Sequence, residues 1–456
     1  MKKYFGTDGI RCVAGEFPLQ PRALNVLGAA LVTEFSHRLG RQPSFVIGGD
    51  TRESTSWIAG ALGWGIRSAG GKLVSAGVIP TPGVAYLTSV MKFDAGVVIS
   101  ASHNPFQDNG IKIFLPSGQK QDHALETALE LALESPAQMA ADQTDRGESL
   151  DLRTDDNLSA RYLEFLCSEI GRELSLSKLK LAVDCANGAA SYYARVVLES
   201  LGAQVYTIGA NPDGENINLN CGSLHLENLQ ALVQEIGADL GIAFDGDADR
   251  CLFVDHKGNL VDGDATLFLM AKWLDEQEKL APRQVVATVM SNLGLELALR
   301  DRHVELIRAN VGDKYVLEEL LRTGALIGGE QSGHIIFPYI GLAGDGMVTA
   351  LQILRVVAEK QQSLAELTQE LTTCPQILIN VRVREKIPFA QVPAIAEVAH
   401  QIENHFAGRG RLLLRYSGTE KLARVMVEGE NLEDVTTQAQ ILAAIIQKEL
   451  GQNECD

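Results

Sequence analysis

Long apolar runs are missing from this chain. Its wholly apolar stretches extend for only a few residues, as at 441–446, whereas a helix needs about 18 such residues to span a bilayer. The first residues include two lysines but lack the apolar segment of a secretion signal. The sequence therefore predicts a soluble protein without a signal peptide or a membrane partner.

Cysteine is sparse and shows no paired spacing. Seven cysteines are scattered over 456 residues, and none forms a Cys-x-x-Cys pair. Their odd number leaves at least one outside any disulfide within the chain. We expect a reduced, cytoplasmic location.

Basic residues are in deficit. The chain has 40 Lys and Arg against 58 Asp and Glu, a formal net charge of −18, so nucleic acid is not an expected partner. Apolar residues make up 46% and charged residues 21%, which is close to the average of globular proteins. At about 150 residues per domain, the length predicts three domains with room for a fourth small one.

One order of elements, strand, loop, helix and strand, recurs three times. The helices carry apolar residues at helical spacing, and each loop is polar or rich in glycine. The copies begin with apolar strands at 45–47, 181–184 and 285–289. Because a strand, a crossover helix and a second strand form a parallel unit, we predict three diverged copies of one α/β domain.

The pattern changes after residue 374. Alternating apolar residues, two further strands and two helices predict a smaller α+β domain with an antiparallel sheet. A polar, acidic segment at 135–156 predicts a connection between domains. The predicted domains are 1–153, 154–253, 254–373 and 374–456.

Three carboxylates alternate in one short loop. Asp245, Asp247 and Asp249 lie between two apolar runs, and at alternate positions their side chains share one side of the backbone. At about 5 Å and an effective dielectric of about 20, each pair repels by about 3 kcal/mol. A hard cation, Mg²⁺ or Mn²⁺, would relieve this repulsion. An EF-hand is excluded, because Arg250 and His256 stand where it needs Gly and Glu.

A second motif presents a candidate nucleophile. Ser102 follows an apolar strand, Pro105 fixes the loop, and Asn109-Gly110 favours a tight turn into the next strand. We therefore expect Ser102 to be displayed rather than packed. His103 is a possible proton carrier, and Lys112 can balance phosphate charge or move a proton; an ordinary loop serine is the alternative.

A third motif, at 328–334, combines glycines with Glu330, Ser332 and His334. The glycines allow close approach of the backbone, and the polar side chains suit sugar hydroxyls. A plain turn between two strands is the alternative interpretation.

A fourth motif follows the strand at 412–414. Backbone amides at a glycine turn, hydroxyl groups and arginines can together bind a phosphate, with a plain hairpin as the alternative. The candidate phosphate ligands are Arg415, Ser417, Gly418, Thr419 and Arg424. Since each predicted domain contributes one of the four loops, we expect the domains to surround a central cleft.

The loops resemble those of the α-D-phosphohexomutase superfamily over essentially the whole chain. The shared motifs are FGTDGIR at 5–11, SASHNPFQDNGIKIF at 100–114, DGDADR at 245–250, GEQSGH at 329–334 and RYSGTE at 415–420. The resemblance implies three like domains with mixed sheets and a smaller fourth domain around an active-site cleft.

The resemblance also implies roles for the residues. It makes Ser102 the carrier of a phosphoryl group, and it assigns one Mg²⁺ per chain to a phosphoserine oxygen and the three aspartates. Arg11 and Arg250 would neutralise the phosphoryl oxygens, and Lys112 and His334 are the candidates for general acid and base. The arginine and hydroxyl loop would hold the non-reacting phosphate, while Glu330 and Ser332 read the sugar hydroxyls.

The branch of the superfamily that this chain resembles most interconverts glucosamine 6-phosphate and glucosamine 1-phosphate through glucosamine 1,6-bisphosphate. The product of that reaction feeds the synthesis of UDP-N-acetylglucosamine and so of the cell wall. Gln331 favours this branch, because the hexose branch commonly has Met there. A phosphomannomutase or phosphoglucomutase is the main alternative. A phosphotransferase with Asp245 as phosphoryl acceptor and a non-catalytic sugar-phosphate sensor are two others. A homodimer is also implied.

Four positions depart from the usual pattern of the superfamily. Cys12 replaces Gly, Gly49 replaces Lys, Ala248 replaces Gly in the acidic loop, and Lys421 replaces Pro. None removes a predicted ligand. Ala248 restricts the backbone if that position needs a positive φ.

Overall fold

The computed structural model describes residues 3–6, 8–135, 155–417 and 420–452. The chain divides into two compact units. The first unit consists of Met1–Met290 and Ile307–Thr368, and the second of Ser291–Leu306 and Gln369–Asp456. Within the described ranges, no helix combines the length and apolar character needed to cross a membrane.

The first sheet has six strands in the spatial order β1-β2-β6-β5-β3-β4. The strands are β1 Phe5–Gly6, β2 Gly9–Val13, β3 Ser44–Gly49, β4 Lys72–Val78, β5 Ala95–Ile99 and β6 Asp108–Phe114. The helices are α1 Pro21–Leu39, α2 Glu53–Ser68, α3 Thr81–Val90 and α4 His123–Glu134. Apolar side chains of the sheet and of α1, α2 and α4 form one buried core.

The second sheet has five strands in the order β11-β10-β9-β7-β8. The strands are β7 Lys180–Asp184, β8 Gln204–Ile208, β9 Leu240–Phe244, β10 Cys251–Asp255 and β11 Leu260–Val261. The helices are α5 Asp156–Glu164, which continues as a π-helical segment Phe165–Ile170, α6 Ala190–Ser200 and α7 Glu227–Ile236. The predicted connection at 135–156 falls largely on 136–154, outside the described residues.

The third sheet has four strands in the order β13-β12-β14-β15. The strands are β12 Gln284–Thr288, β13 Glu305–Ala309, β14 Gly328–Gly329 and β15 Ile335–Ile336. The helices in this part of the chain are α8 Gly263–Glu276, α9 Leu293–Asp301, α10 Asp313–Thr323, α11 Gly346–Lys360 and α12 Leu364–Leu367.

The three sheets share the same order over four of their strands, which confirms the predicted internal repeat. Within each, four strands lie in the spatial order second, first, third and fourth, as in β4-β3-β5-β6, β8-β7-β9-β10 and β13-β12-β14-β15. The third strand is parallel to the first and antiparallel to the fourth. The loop from third to fourth strand is therefore equivalent in all three domains. It holds the serine motif after β5, the acidic motif after β9 and the GEQSGH motif after β14.

The second unit contains the predicted antiparallel sheet, with strand order β16-β18-β17. Its elements are β16 Gln376–Arg382, α13 Pro393–Phe406, β17 Gly410–Tyr416, β18 Leu422–Gly429 and α14 Leu432–Leu450. Apolar residues of the sheet and both helices form its core. Helix α9 also belongs to this unit, tied to it by a hydrogen bond of 3.0 Å from Asn292 Nδ2 to the Cys374 carbonyl. The four predicted domain boundaries stay predictions.

One buried carboxyl links two domains of the first unit. Asp345 caps the N-terminus of α11, where it accepts hydrogen bonds from Val348 N and from the Tyr162 hydroxyl, both at 2.9 Å. Burial raises the pKa of Asp345 to about 6. The folded state therefore binds this proton more tightly than the unfolded chain does.

We expect Asp345→Asn to change the pH dependence of stability. For the wild-type protein, stability falls as the pH rises from the unfolded pKa of 3.8 through the folded pKa of about 6, because the buried group must ionise. The full cost is about 3 kcal/mol. The asparagine keeps an acceptor oxygen and avoids this cost. Between pH 4 and 7, the melting temperature of the variant should rise relative to that of the wild type. A difference in melting temperature that does not change with pH would contradict this.

Candidate active site

The acidic loop forms a compact cluster. It joins the antiparallel strands β9 and β10, which pair Phe244 with Cys251. Asp245, Asp247 and Asp249 are all buried, and one oxygen from each lies within 4.8 Å of the others. Among the described residues, Asp247 Oδ1 and Asp249 Oδ1 are buried and accept no hydrogen bond. An all-oxygen set with unsatisfied carboxylate oxygens fits a hard divalent cation.

Ala248 occupies the position where the superfamily pattern has glycine, and its φ is 55°. A non-glycine residue in this left-handed region costs about 1–2 kcal/mol. The backbone at position 248 therefore does adopt the positive φ that a residue other than glycine disfavours. The loop keeps its three carboxylates together despite this strain.

We expect Ala248→Gly to stabilise the metal-free protein by about 1 kcal/mol, because glycine adopts a positive φ without the Cβ penalty. Ala243 is a matched control, since it is buried in the neighbouring strand β9. There the same substitution should destabilise by about 1 kcal/mol. Thermal melting in EDTA checks both, and a fall in melting temperature for both variants would contradict the strain at Ala248.

Ser102 follows β5 and meets the acidic loop directly. Its Oγ donates a hydrogen bond of 2.6 Å to Asp245 Oδ2, across 143 positions of sequence. Its backbone φ is 54°, and its main-chain N–H donates to Ser100 Oγ at 2.9 Å. The structure thus brings the predicted nucleophile and the predicted metal ligands together.

Two expectations about this loop were wrong. Ser102 is 1% exposed rather than displayed, because the acidic loop of the next domain covers it. Asn109 and Gly110 do not form a turn, since β6 already begins at Asp108 and pairs Gly110 with Arg11 of β2. Pairing with a strand distant in sequence outweighs the local turn preference.

Lys112 is the main counter-charge of the cluster. The buried ammonium lies 2.7 Å from Asp247 Oδ2 and 3.0 Å from an oxygen of Asp249 and of Asp8. Burial opposes its charge, but the carboxylates outweigh burial and raise the pKa of Lys112 well above its usual value. The side chain is therefore an ammonium at neutral pH.

A cavity of about 540 Å³ lies beside the cluster within the first unit. Five predicted site residues line it: Arg11, Asp249, Arg250, Glu330 and His334. Glu330 Oε1 accepts a hydrogen bond of 3.0 Å from Gly312 N. Ser332 is absent from the lining, and its Oγ is buried without a hydrogen-bond partner among the described residues.

Charged residues that were not predicted as site residues also line this cavity, among them Asp8, Lys120 and Asp313. The Lys120 ammonium forms ion pairs with both carboxylates. Asp8 lies inside the FGTDGIR motif, which was a usable signal. Lys120 and Asp313 carry no local signal, since they are 193 positions apart.

Two histidines of the cavity differ in charge. Burial lowers the pKa of His334, but Asp249 Oδ1 at 3.5 Å and Asp313 Oδ2 at 3.6 Å outweigh it and raise the pKa to about 9. Burial and two nearby arginines lower the pKa of His103 to about 4. His334 is therefore an imidazolium at neutral pH, and His103 is neutral.

The fourth predicted loop belongs to the second unit. Arg415 of β17 and Arg424 of β18 are opposite each other in the antiparallel register, and Arg424 Nε is buried without a hydrogen-bond partner among the described residues. Ser417 Oγ accepts a bond of 3.3 Å from Glu420 N. Two opposed guanidinium groups favour an anion between them. Gly418 and Thr419 lie outside the described residues.

Sequence profiles of four domains match this chain in order. They are described as phosphoglucomutase/phosphomannomutase alpha/beta/alpha domains I, II and III, at residues 2–139, 160–258 and 262–374, and the C-terminal domain, at 378–445. The chain belongs to the phosphoglucomutase/phosphomannomutase family. The predicted site residues all lie within the four matched ranges.

Other members of the family are similar over nearly their whole length. The phosphoglucosamine mutase of Solibacter usitatus is 47% identical over 99% of this chain and 100% of its own, and that of Pseudomonas putida is 46% identical over 98% of each. A family protein from Burkholderia thailandensis has the same fold, with a TM-score of 0.78, 23% identity and 99% coverage of both chains. Aspergillus fumigatus N-acetylphosphoglucosamine mutase, solved with GlcNAc-6P and magnesium, matches with a TM-score of 0.66 and 18% identity over 98% of this chain and 96% of its own.

Proposed function

We propose that this protein is a phosphomutase that interconverts glucosamine 6-phosphate and glucosamine 1-phosphate. The hydrogen bond of 2.6 Å from Ser102 Oγ to Asp245 carries the proposal, since it places a hydroxyl at a cluster suited to a divalent cation. Full-length relatives that share 44–47% identity with this chain bear the name phosphoglucosamine mutase, which supports the choice of substrate.

The proposed reaction uses a phosphoryl group on Ser102. The P–O bond to Ser102 breaks as the 1-hydroxyl of glucosamine 6-phosphate forms a new P–O bond, which gives glucosamine 1,6-bisphosphate. The bisphosphate turns around, and its 6-phosphoryl group returns to Ser102. When bound at Asp245, Asp247 and Asp249, Mg²⁺ would neutralise negative charge on the oxygens of the phosphoryl group during its transfer.

Charged side chains of the cavity supply further stabilisation. Arg11 and Arg250 can each form bidentate hydrogen bonds with phosphoryl oxygens. Lys112 and His334 are both charged at neutral pH, so each can donate a proton to an oxygen that gains negative charge. Neutral His103, whose Nδ1 lies 3.3 Å from Ser102 Oγ, can accept one.

We propose that the phosphate that does not react binds at the second unit. Its ligands would be Arg415, Ser417, Gly418, Thr419 and Arg424. This set can hold a phosphate at either end of the sugar, and Glu330 and Ser332 would bind the hydroxyls between the two phosphates.

Selection of the amino sugar needs a different explanation from the one that Gln331 suggested. Gln331 does not line the cavity; its carbonyl accepts a bond of 2.9 Å from Gly263 N. The cavity does present the carboxylates of Asp8, Asp313 and Glu330, which can bind the ammonium group that distinguishes glucosamine from neutral hexoses.

The test compares kcat/KM for the 6-phosphates of glucosamine, glucose and mannose, with Mg²⁺ and catalytic bisphosphate. We expect the highest value for glucosamine 6-phosphate. A higher value for either neutral sugar would assign the protein to the hexose branch. Tight binding without turnover of any of the three would make it a sugar-phosphate sensor.

A further inference from the structure

The main chain around Ser102 receives hydrogen bonds from two side chains that have no part in the chemistry proposed above. Arg52 Nη2 donates to the carbonyl oxygens of Ser102 and Asn104, at 3.1 and 2.6 Å. Asn218 Nδ2 donates to the same two oxygens, at 2.9 Å each. Each carbonyl thus uses both of its lone pairs, and both peptide groups are held in one orientation.

The Arg52 guanidinium is itself held in place. The side chain is buried and pairs with the buried carboxylate of Asp50. Asp50 Oδ1 also accepts hydrogen bonds of 3.1 Å from Arg52 N and from Thr55 Oγ1. A guanidinium fixed at one end in this way can define a position at its other end.

Asn218 belongs to the second domain and contacts both the serine loop and the acidic loop. A Cβ added at Gly246, between the first two aspartates of the acidic loop, would meet the Ser102 carbonyl oxygen at 2.5 Å and Asn218 Nδ2 at 2.8 Å. The acidic loop therefore packs directly on the bonded carbonyl and its donor. The same contacts set the distance between Ser102 and the carboxylates.

The left-handed backbone of Ser102 explains why such support is needed. A φ of 54° costs about 1–2 kcal/mol for a non-glycine residue, and it persists only where the surroundings determine it. We propose that Arg52 and Asn218 are positioning residues, which hold Ser102 Oγ in line for phosphoryl transfer. The inference rests on the proposed function, because it concerns the same serine.

The experiment uses the full-length variants Asn218→Ala and Arg52→Lys. Each is phosphorylated with glucosamine 1,6-bisphosphate, freed of sugar phosphates and mixed with glucosamine 6-phosphate. Intact mass after rapid quenching follows the rate of the first half-reaction, in which the phosphoryl group leaves Ser102 before the bisphosphate returns one. We expect this rate and kcat to fall about 100-fold, the effect of a misplacement of about 1 Å, while KM stays within about threefold. The lysine of Arg52→Lys should not preserve kcat, because an ammonium lacks the planar donors of a guanidinium.

Two matched variants control for the substitutions themselves. Asn228 is exposed and donates to the Asn220 carbonyl at 3.1 Å, and Arg41 pairs with Asp94 at 2.6 Å, away from the serine loop. Asn228→Ala and Arg41→Lys should keep the wild-type kcat. Asn218→Ala should keep the wild-type circular-dichroism spectrum, and it carries the test alone if Arg52→Lys does not fold.

An unchanged kcat in Asn218→Ala would overturn the inference, and so would a rise in KM without a fall in kcat. A wild-type protein without turnover would instead contradict the proposed function. In that case the crystal structure of Asn218→Ala decides the inference. Ser102 leaving the left-handed region would support it, and an unchanged Ser102 would overturn it.

Discussion

Ser102→Ala is expected to lower mutase activity by about 10⁴-fold or more, the scale seen when a covalent nucleophile is removed. The hydroxyl is the group that forms and breaks the P–O bond, and Asp245 is its hydrogen-bond partner. The measurement is isomerisation of glucosamine 6-phosphate, combined with intact mass after incubation with the bisphosphate.

Ser117→Ala is the control for that variant, because Ser117 lies in an exposed turn shortly after β6. This control should take up one phosphoryl group and keep wild-type activity, whereas Ser102→Ala should take up none. A phosphoryl group retained on Asp245 in Ser102→Ala would transfer the nucleophile's role to the carboxylate and contradict the proposal.

Asp247→Asn should reduce activity by about 10³-fold. A metal ion contributes several kcal/mol of transition-state stabilisation, and each 1.36 kcal/mol corresponds to about tenfold in rate. The substitution removes one charged ligand and also the carboxylate that lies 2.7 Å from Lys112 Nζ. EDTA should abolish wild-type activity, and added Mg²⁺ should restore it.

Asp255→Asn is the matched control for the acidic loop. Asp255 is a buried carboxylate at the other end of β10, where it accepts bonds from main-chain amides of Lys257 and Asn259. Its loss should lower stability without changing the Mg²⁺ concentration that gives half-maximal activity. An Asp247→Asn variant with wild-type activity and wild-type Mg²⁺ dependence would show that the cluster holds no catalytic ion.

The repeated fold and the four motif loops could be predicted from the sequence because both depend on local pattern. Apolar periodicity marks the strands and helices, and the spacing of Asp245, Asp247 and Asp249 is a feature of one short loop. The equivalence of the three loops, each between the third and fourth strand of its sheet, required the strand order.

The parts that could not be predicted depend on contacts between distant segments. Burial of Ser102 follows from a loop 143 positions away, and the ion pairs of Lys120 join residues from two domains. Asn109-Gly110 carries a turn signal, yet pairing with β2 places it inside a strand. Arg52 lies in a polar loop visible in the sequence, but its bonds to the serine loop are not.

Anomalous diffraction from crystals grown with Mn²⁺ shows whether the three aspartates and Ser102 share one ion. We expect one strong peak about 2 Å from one oxygen of each of Asp245, Asp247 and Asp249 and from Ser102 Oγ or its phosphoryl oxygen. A saturating Mn²⁺ concentration that leaves this position without a peak, or places the ion out of reach of Ser102, would contradict this expectation.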